Sequence, residues 1–258
     1  MITRIDLNAD LGESFGPWPM GADAALLKII TSANIACGFH AGDPDVMAQA
    51  MALAVENSVG IGAHPGLADL QGFGRRRMQI APCEARNLVA YQLGAAQAMA
   101  RAAGGQVRHL KLHGALANMA AEDEALAQAC YTGALAVDPD IILMVISGTS
   151  QARAAKALGA RMACEIFADR AYSEDGLLLD RSLPGAVIHD PATVCRRILA
   201  MLQASAIITA QGTHLPAQID TICLHGDTPQ AVTLAQTLRD ALESAGVTLQ
   251  GFDGARAP

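Results

Sequence analysis

The chain predicts an α/β fold in which helices alternate with parallel strands that close, or nearly close, into a barrel. Three observations carry this expectation. Short apolar strand-like runs recur along the 258 residues, amphipathic helical stretches separate them, and no Pro/Gly/Ser-rich linker or low-complexity tract divides the chain. Alternation of this kind implies right-handed crossovers between parallel strands. Seven clear runs and a weaker eighth favour a barrel over an open doubly wound sheet. With 52% apolar residues the chain can bury a full core. Its length suits one barrel as well as two small domains, and the undivided pattern reads as one domain, 1–258.

The strand-like runs fall at 2–8, 33–37, 59–63, 107–112, 141–146, 162–167 and 221–224, with the weaker one at 206–209. Between them, Val46, Ala50, Leu53 and Ala54 recur at helical spacing, and so do Val232, Ala235, Leu238 and Leu242. Asp43-Pro44, Asp190-Pro191 and Thr228-Pro229 each pair a capping residue with a proline suited to the first helical position. Two polar, glycine-bearing loops, 67–77 and 170–186, are long enough to act as lids or partner surfaces.

Composition narrows the function. The 18 basic and 25 acidic residues give a net charge of -7 without long blocks, which argues against nucleic acid or an anionic membrane as partner. Only Arg75-Arg76-Arg77 breaks the evenness. The six cysteines are scattered and form no CxxC, so they read as small core residues of a protein in a reducing cytoplasm. The first residues lack an apolar signal region and no run of about 18 apolar residues follows, so a soluble, unprocessed protein is expected.

The chemistry gathers where strands end. Asn8, Asp10 and Glu13 follow the first run, His40 and Asp43 the second, and His64 the third. Lys111 and His113 mark the fourth, Glu165, Asp169 and Arg170 the sixth, and His225 and Asp227 the seventh. In a barrel these positions share one face, where active sites are built. Taken singly, each histidine reads as a satisfied residue at a helix cap; as a set they read as a site. Asp10, His40 and His64 come from three successive strands and compose a workable divalent metal site, with hydrogen-bonding and acid/base roles as the competing reading. Lys111 and His113, two residues apart, share the barrel-interior face. Lys111 either neutralises an anionic group of a ligand or pairs with a neighbouring acid. Glu165, Asp169 and Arg170 read equally as a salt-bridged loop. No GxxxxGK[ST] occurs and no GxGxxG follows the first strand. The Ser147-Gly148-Thr149-Ser150 turn is better read as a helix cap than as a phosphate cradle.

Several stretches together resemble the LamB/YcsF family: Ile-Asp-Leu-Asn-Ala-Asp-Leu-Gly-Glu-Ser-Phe-Gly at the start, then Ser-Ala-Asn-Ile-Ala-Cys-Gly-Phe-His-Ala-Gly-Asp, Ile-Gly-Ala-His-Pro and Gly-Phe-Gly-Arg-Arg. Lys-Leu-His-Gly, Glu-Ile-Phe-Ala-Asp-Arg-Ala-Tyr, Arg-Ser-Leu-Pro-Gly-Ala and Ile-Cys-Leu-His-Gly-Asp continue the match as far as Asp227. The resemblance implies an irregular seven-stranded, TIM-like (β/α) barrel of the glycoside hydrolase/deacetylase type. It also implies ATP-dependent opening of 5-oxo-L-proline to L-glutamate, with ATP and Mg2+ bound here or on a partner, and with partner subunits B and C. On that reading Asp10, Glu13, His40, His64, Lys111 and His113 are catalytic, while Asn8, Arg75, Glu165, Arg170, His225 and Asp227 hold the substrate and its anionic oxygens. The sequence departs from the family pattern at Leu112, where proline is usual, and at Ala117, where tyrosine is common. Two other functions compete. One is a metal-dependent deacetylase or amidase acting alone on carbohydrate or small amide substrates, with the ion on Asp10, His40 and His64. The other is a non-catalytic subunit that only captures the lactam.

Overall fold

The computed structural model describes residues 2–225 and 230–254. The chain begins with β1 (Arg4–Leu11), the short α1 (Asp23–Leu26), β2 (Ser32–Ala36), α2 (Pro44–Glu56) and β3 (Gly60–His64). Next come the long α3 (Pro82–Ala102), β4 (Val107–Lys111), the consecutive helices α4 (Gly114–Glu122) and α5 (Glu124–Val137), β5 (Ile142–Ile146), α6 (Ser150–Ala157) and β6 (Met162–Phe167). The chain continues through α7 (Pro191–Ala204), β7 (Ala206–Ile208), β8 (His214–Pro216), β9 (Thr221–Leu224), α8 (Ala231–Ser244) and β10 (Thr248–Leu249).

Among the described residues, β1 to β6 pair in parallel in chain order, β9 follows β6, and β9 pairs back onto β1. The seven strands therefore form a closed barrel. The weaker eighth run is not part of it: β7 pairs antiparallel with β8 in a hairpin outside the barrel. β10, too short to stand out in the sequence, adds in parallel beside Arg4 and Ile5 of β1.

The barrel interior is polar, and this positions the site. Alternation along β1 sends Leu7, Ala9 and Leu11 into the apolar core and Asp6, Asn8 and Asp10 inward. Asp6 accepts from Ser32 (2.7 Å), Asn8 donates to Glu165 (3.0 Å) and Thr221 (2.7 Å), and His109 bonds Asn34 (2.8 Å). These inward polar groups find partners across the barrel, as burial demands, although Nδ1 of His109 has none. This pattern corrects the expectation from the sequence. β1 runs on to Leu11, so Asp10 lies within it and not after it, while Asn8 and Glu165 lie inside β1 and β6 as the runs 2–8 and 162–167 have them.

Phe252 plugs the opposite end, packed with Ile142, Met144 and Ala163. Arg108 donates to its carbonyl, and Arg161 donates to Gly254 O at 3.0 Å. The helix starts follow the capping rules: Asp43 accepts from the amides of Asp45 and Val46, and Asp190 from that of Thr193. Thr228-Pro229 lies outside the described residues. All six cysteines are free thiols. Among the described residues no helix is long and apolar enough to cross a membrane.

Candidate active site

A pocket of about 700 Å3 opens at the C-terminal ends of the strands. Asp10, His64, Lys111, His113, Phe167 and His225 line its inner part, and Arg75, Arg77, Arg170 and Arg181 its loop-borne walls.

Beneath the pocket lies a charge network. Lys111 Nζ is 3.0 Å from Asp10 Oδ1, 2.8 Å from Glu165 Oε1 and 3.0 Å from Cys223 Sγ. Burial works against the ammonium, but Asp10 and the neighbouring groups outweigh it and hold Lys111 well above the usual lysine range. Lys111 is therefore a fixed cation. Burial also opposes the Asp10 carboxylate, yet His64 and Lys111 beside it win and hold it well below the usual value. Glu165 goes the other way, because burial outweighs Lys111 and raises its carboxyl.

Above this network three imidazoles pack together. His40 stacks on His113 with centroids 3.6 Å apart, and His64 meets both edge-on. His64 Nδ1 lies 2.8 Å from Lys111 O and His113 Nε2 lies 2.8 Å from Phe73 O. A carbonyl only accepts, so each of these nitrogens carries its hydrogen. In neutral rings His64 Nε2 and His113 Nδ1, 3.0 Å apart, then face each other lone pair to lone pair. Asp10 Oδ2 is 3.3 Å from the same His64 nitrogen, which adds a further acceptor. A proton shared by the pair, or a divalent cation beside it, removes this conflict. Burial, reinforced by His113 and His64, pushes His40 well below the usual histidine range, and both its ring nitrogens lack hydrogen-bond partners. Its Nε2 is 3.6 Å from Glu13 Oε1, beyond a good hydrogen bond. The glycines of the surrounding motifs make the room: a Cβ at Gly66 would lie 2.6 Å from His40 Nδ1, and one at Gly74, whose φ is +61, 2.6 Å from the His40 Cβ.

The donor set that converges is Glu13, His40, His64 and His113, whose ligand atoms all lie within 4.8 Å of one another. This differs from the expected metal set. Asp10 touches His64 but groups instead with Cys223 and His225, and its Oδ1 is occupied by Lys111 and Asn34. The chemistry of the Glu13 and histidine set, with two orphaned imidazole nitrogens, fits a borderline divalent ion.

On the far side of the pocket, His225 Nδ1 lies 2.8 Å from both oxygens of Asp169. Burial would raise Asp169, but His225 outweighs it and pulls the carboxyl down. Arg170 is buried and donates to the carbonyls of Leu179 and Ala186; burial and the nearby Arg181 push its guanidinium down to about 10. Arg75 lies over the Phe73 ring at 4.9 Å. Two expected ligand contacts move inward: Asn8 and Glu165 are buried below the pocket with their polar ends spent on each other, Thr221, Asn34 and Lys111. They position Lys111 instead of touching a ligand. Asp227 lies outside the described residues. Thr149 caps α6, as the turn chemistry suggests. Leu112 and Ala117, the two departures from the family pattern, both line the pocket. The sequence did not single out Arg181, although it sits inside the Arg-Ser-Leu-Pro-Gly-Ala stretch, or Asn34, inside Ser-Ala-Asn-Ile.

Comparison with known proteins places this barrel. A model of the LamB/YcsF family matches residues 5–257. The chain belongs to that family. It is 65% identical, over 98% of its length and 100% of the relative's, to a protein of Ruegeria pomeroyi named as the A subunit of 5-oxoprolinase. A lactam utilization protein from Thermus thermophilus superposes with a TM-score of 0.90 at 41% identity, covering 96% of this chain and 100% of that one. The Bc1960 peptidoglycan N-acetylglucosamine deacetylase aligns over 100% of this chain and 91% of its own with a TM-score of 0.51 at 9% identity, a likeness of fold alone. The chain thus shares with that deacetylase the fold of a barrel of parallel strands and helices.

Proposed function

We propose that this chain, acting as one domain, opens 5-oxo-L-proline to L-glutamate as the A subunit of an ATP-dependent cytoplasmic 5-oxoprolinase that also contains subunits B and C. The observation that supports it most is a pocket that meets a small cyclic amide with a fixed cation, paired imidazoles and a carboxylate-oriented histidine, in a chain closely related to proteins named for this activity. A lactam carbonyl is a poor electrophile, and ring opening needs a charge to meet the developing oxyanion. ATP with Mg2+, held here or on a partner, would supply the phosphoryl group that activates the lactam oxygen; after ring opening a second water would cleave that group from the freed carboxyl as inorganic phosphate. Within this chain, Lys111 brings positive charge to the pocket floor, with Arg75 and Arg170 on its walls. The His64 and His113 pair takes the proton as water adds to the ring carbon. His225, held through Nδ1 by Asp169, delivers a proton to the ring nitrogen as the C–N bond breaks.

Glu13, His40, His64 and His113 would hold a divalent ion, which would supply a polarised carbonyl or an acidified water. The lone-pair conflict at His64 and His113 favours a second reading on this ground, a metal-dependent amidase acting alone. Glutamate production from 5-oxoproline and ATP, with and without subunits B and C, separates the two. The isolated chain is expected to be inactive and the reconstituted complex active, with His40→Ala and His64→Ala each reducing turnover by roughly two orders of magnitude or more while the chain stays folded. ATP-independent turnover by the isolated chain that a chelator abolishes would replace the first reading with the second.

A further inference from the structure

At the N-terminal ends of the strands, opposite the catalytic pocket, lies a second depression of about 410 Å3. Lys28 and Thr31 enter it from the α1–β2 connection, Asn57 and Ser58 from the α2–β3 connection, Arg108 from β4 and Arg239 from α8. Among the described residues three cationic side chains line it and no carboxylate does, in a chain whose net charge is -7. Local positive potential against that background has to be built.

Arg108 is held in a slot. A Cβ at Gly60 would lie 2.6 Å from its Nη1 and one at Gly251 3.1 Å away, so the guanidinium fits between two bare stretches of backbone. Its Nη2 donates to Phe252 O, and the ring of Phe252 lies 5.6 Å from its carbon. Arg239 donates from Nη1 to Ile29 O at 2.6 Å and pairs from Nη2 with Glu243 at 3.0 Å. A guanidinium has five N–H donors, so each arginine keeps donors beyond these bonds. The pre-set fork geometry suits a planar or tetrahedral oxyanion. The Ser58 hydroxyl and the Asn57 amide offer neutral donors, whereas the Thr31 hydroxyl is spent on Asp6 at 2.6 Å; Ser58 holds a φ of 57, a conformation uncommon for a residue with a side chain.

We propose that this depression binds a small, doubly charged oxyanion, a phosphate or a dicarboxylate, at a site separate from catalysis. Five-residue strands put it roughly 15 Å from the catalytic floor. Inorganic phosphate, and glutamate through its two carboxylates, are products of the proposed reaction that carry such oxyanions, and only that link rests on the proposed function.

The test is calorimetric titration of the isolated chain at low salt with inorganic phosphate and, separately, with L-glutamate; the ion that titrates names the source. Arg108 also anchors Phe252, so the informative variants are Lys28→Glu and Arg239→Gln at the protein surface. Each is expected to weaken binding roughly tenfold or more, the scale of one charge-assisted hydrogen bond, while Arg75→Gln and Arg170→Gln in the catalytic pocket leave it within twofold. Absence of binding by both ions, binding indifferent to Lys28→Glu and Arg239→Gln, or binding lost only in the Arg75 and Arg170 variants would each overturn the proposal. No turnover is read, so the result stands apart from the fate of the proposed activity.

Discussion

Lys111 has the most demanding position in the molecule, a side chain 5% exposed between two buried carboxyl groups. The sequence left two readings of it, a contact for an anionic ligand or a partner for an acid, and the structure supplies the second while keeping the first open, because Lys111 also lines the pocket. Replacing it by methionine keeps the stem but strands Asp10 and Glu165 without their cation. Breaking a buried ion pair from one side costs about 3–5 kcal/mol. Lys111→Met is therefore expected to lose stability of that order in urea unfolding, as well as activity, and adding Glu165→Gln should restore part of the stability but not the turnover. A Lys111→Met chain as stable as the parent would show that the network tolerates the lost charge. His64 and His113 were legible as site residues from their positions beside glycine and proline. That their unprotonated nitrogens oppose each other was not, since it depends on which backbone carbonyls, Lys111 O and Phe73 O, capture the other side of each ring.

Two loops that look alike in sequence behave differently as elements. Both 67–77 and 170–186 are polar and contain glycine, and both read as lids. In the structure the first is a wall: Asp69 N donates to Phe39 O (3.2 Å), Ala115 N donates to Gly74 O (2.8 Å), His113 bonds Phe73 O, and Leu67 is buried. Arg76 and Arg77 are spent on Asp69 and Glu122. The second loop is anchored by buried Arg170, Ala171 and Tyr172, but its tip carries the half-exposed Arg181 and the exposed Ser182 and Leu183. What separates them is tertiary partnership, which composition does not encode. Limited trypsin digestion should accordingly cut after Arg181 before it cuts at 75–77, and 5-oxoproline with ATP and the partner subunits should slow the Arg181 cut, as closure over a pocket does. Mass spectrometry of the fragments decides it: early cleavage at 75–77 would restore the lid reading to that loop.

At the scale of the whole molecule, the polar barrel interior explains both what the sequence revealed and what it hid. Apolar runs marked the seven barrel strands because their outward faces pack on helices. The end of β1 was placed three residues early, at Asn8 and not Leu11, because its inward positions are Asp6, Asn8 and Asp10, residue types that also signal turns. The interior has a thermodynamic signature of its own. Asp6 is wholly buried, and burial raises its carboxyl to about 6 even though Ser32, Thr221 and Thr31 donate to it and Arg108 lies nearby. The folded state therefore holds this proton more tightly than the unfolded chain, whose carboxyl keeps its usual value near 3.8. The stability contributed by Asp6 is fully present below pH 3.8 and is lost as the pH rises through 6. A shift of about two units corresponds to roughly 3 kcal/mol. Asp10 and Asp169 are depressed, so they act in the opposite sense, losing their contribution as the pH falls. They are common to the parent and to Asp6→Asn, and so cancel in the difference between the two. That difference, measured by urea unfolding from pH 4 to pH 7, should move in favour of Asp6→Asn by roughly 2–3 kcal/mol, since asparagine bonds the same hydroxyls without a charge to bury. A difference that stays constant across that window would mean that Asp6 remains ionised inside the barrel, with the hydroxyls and Arg108 outweighing its burial.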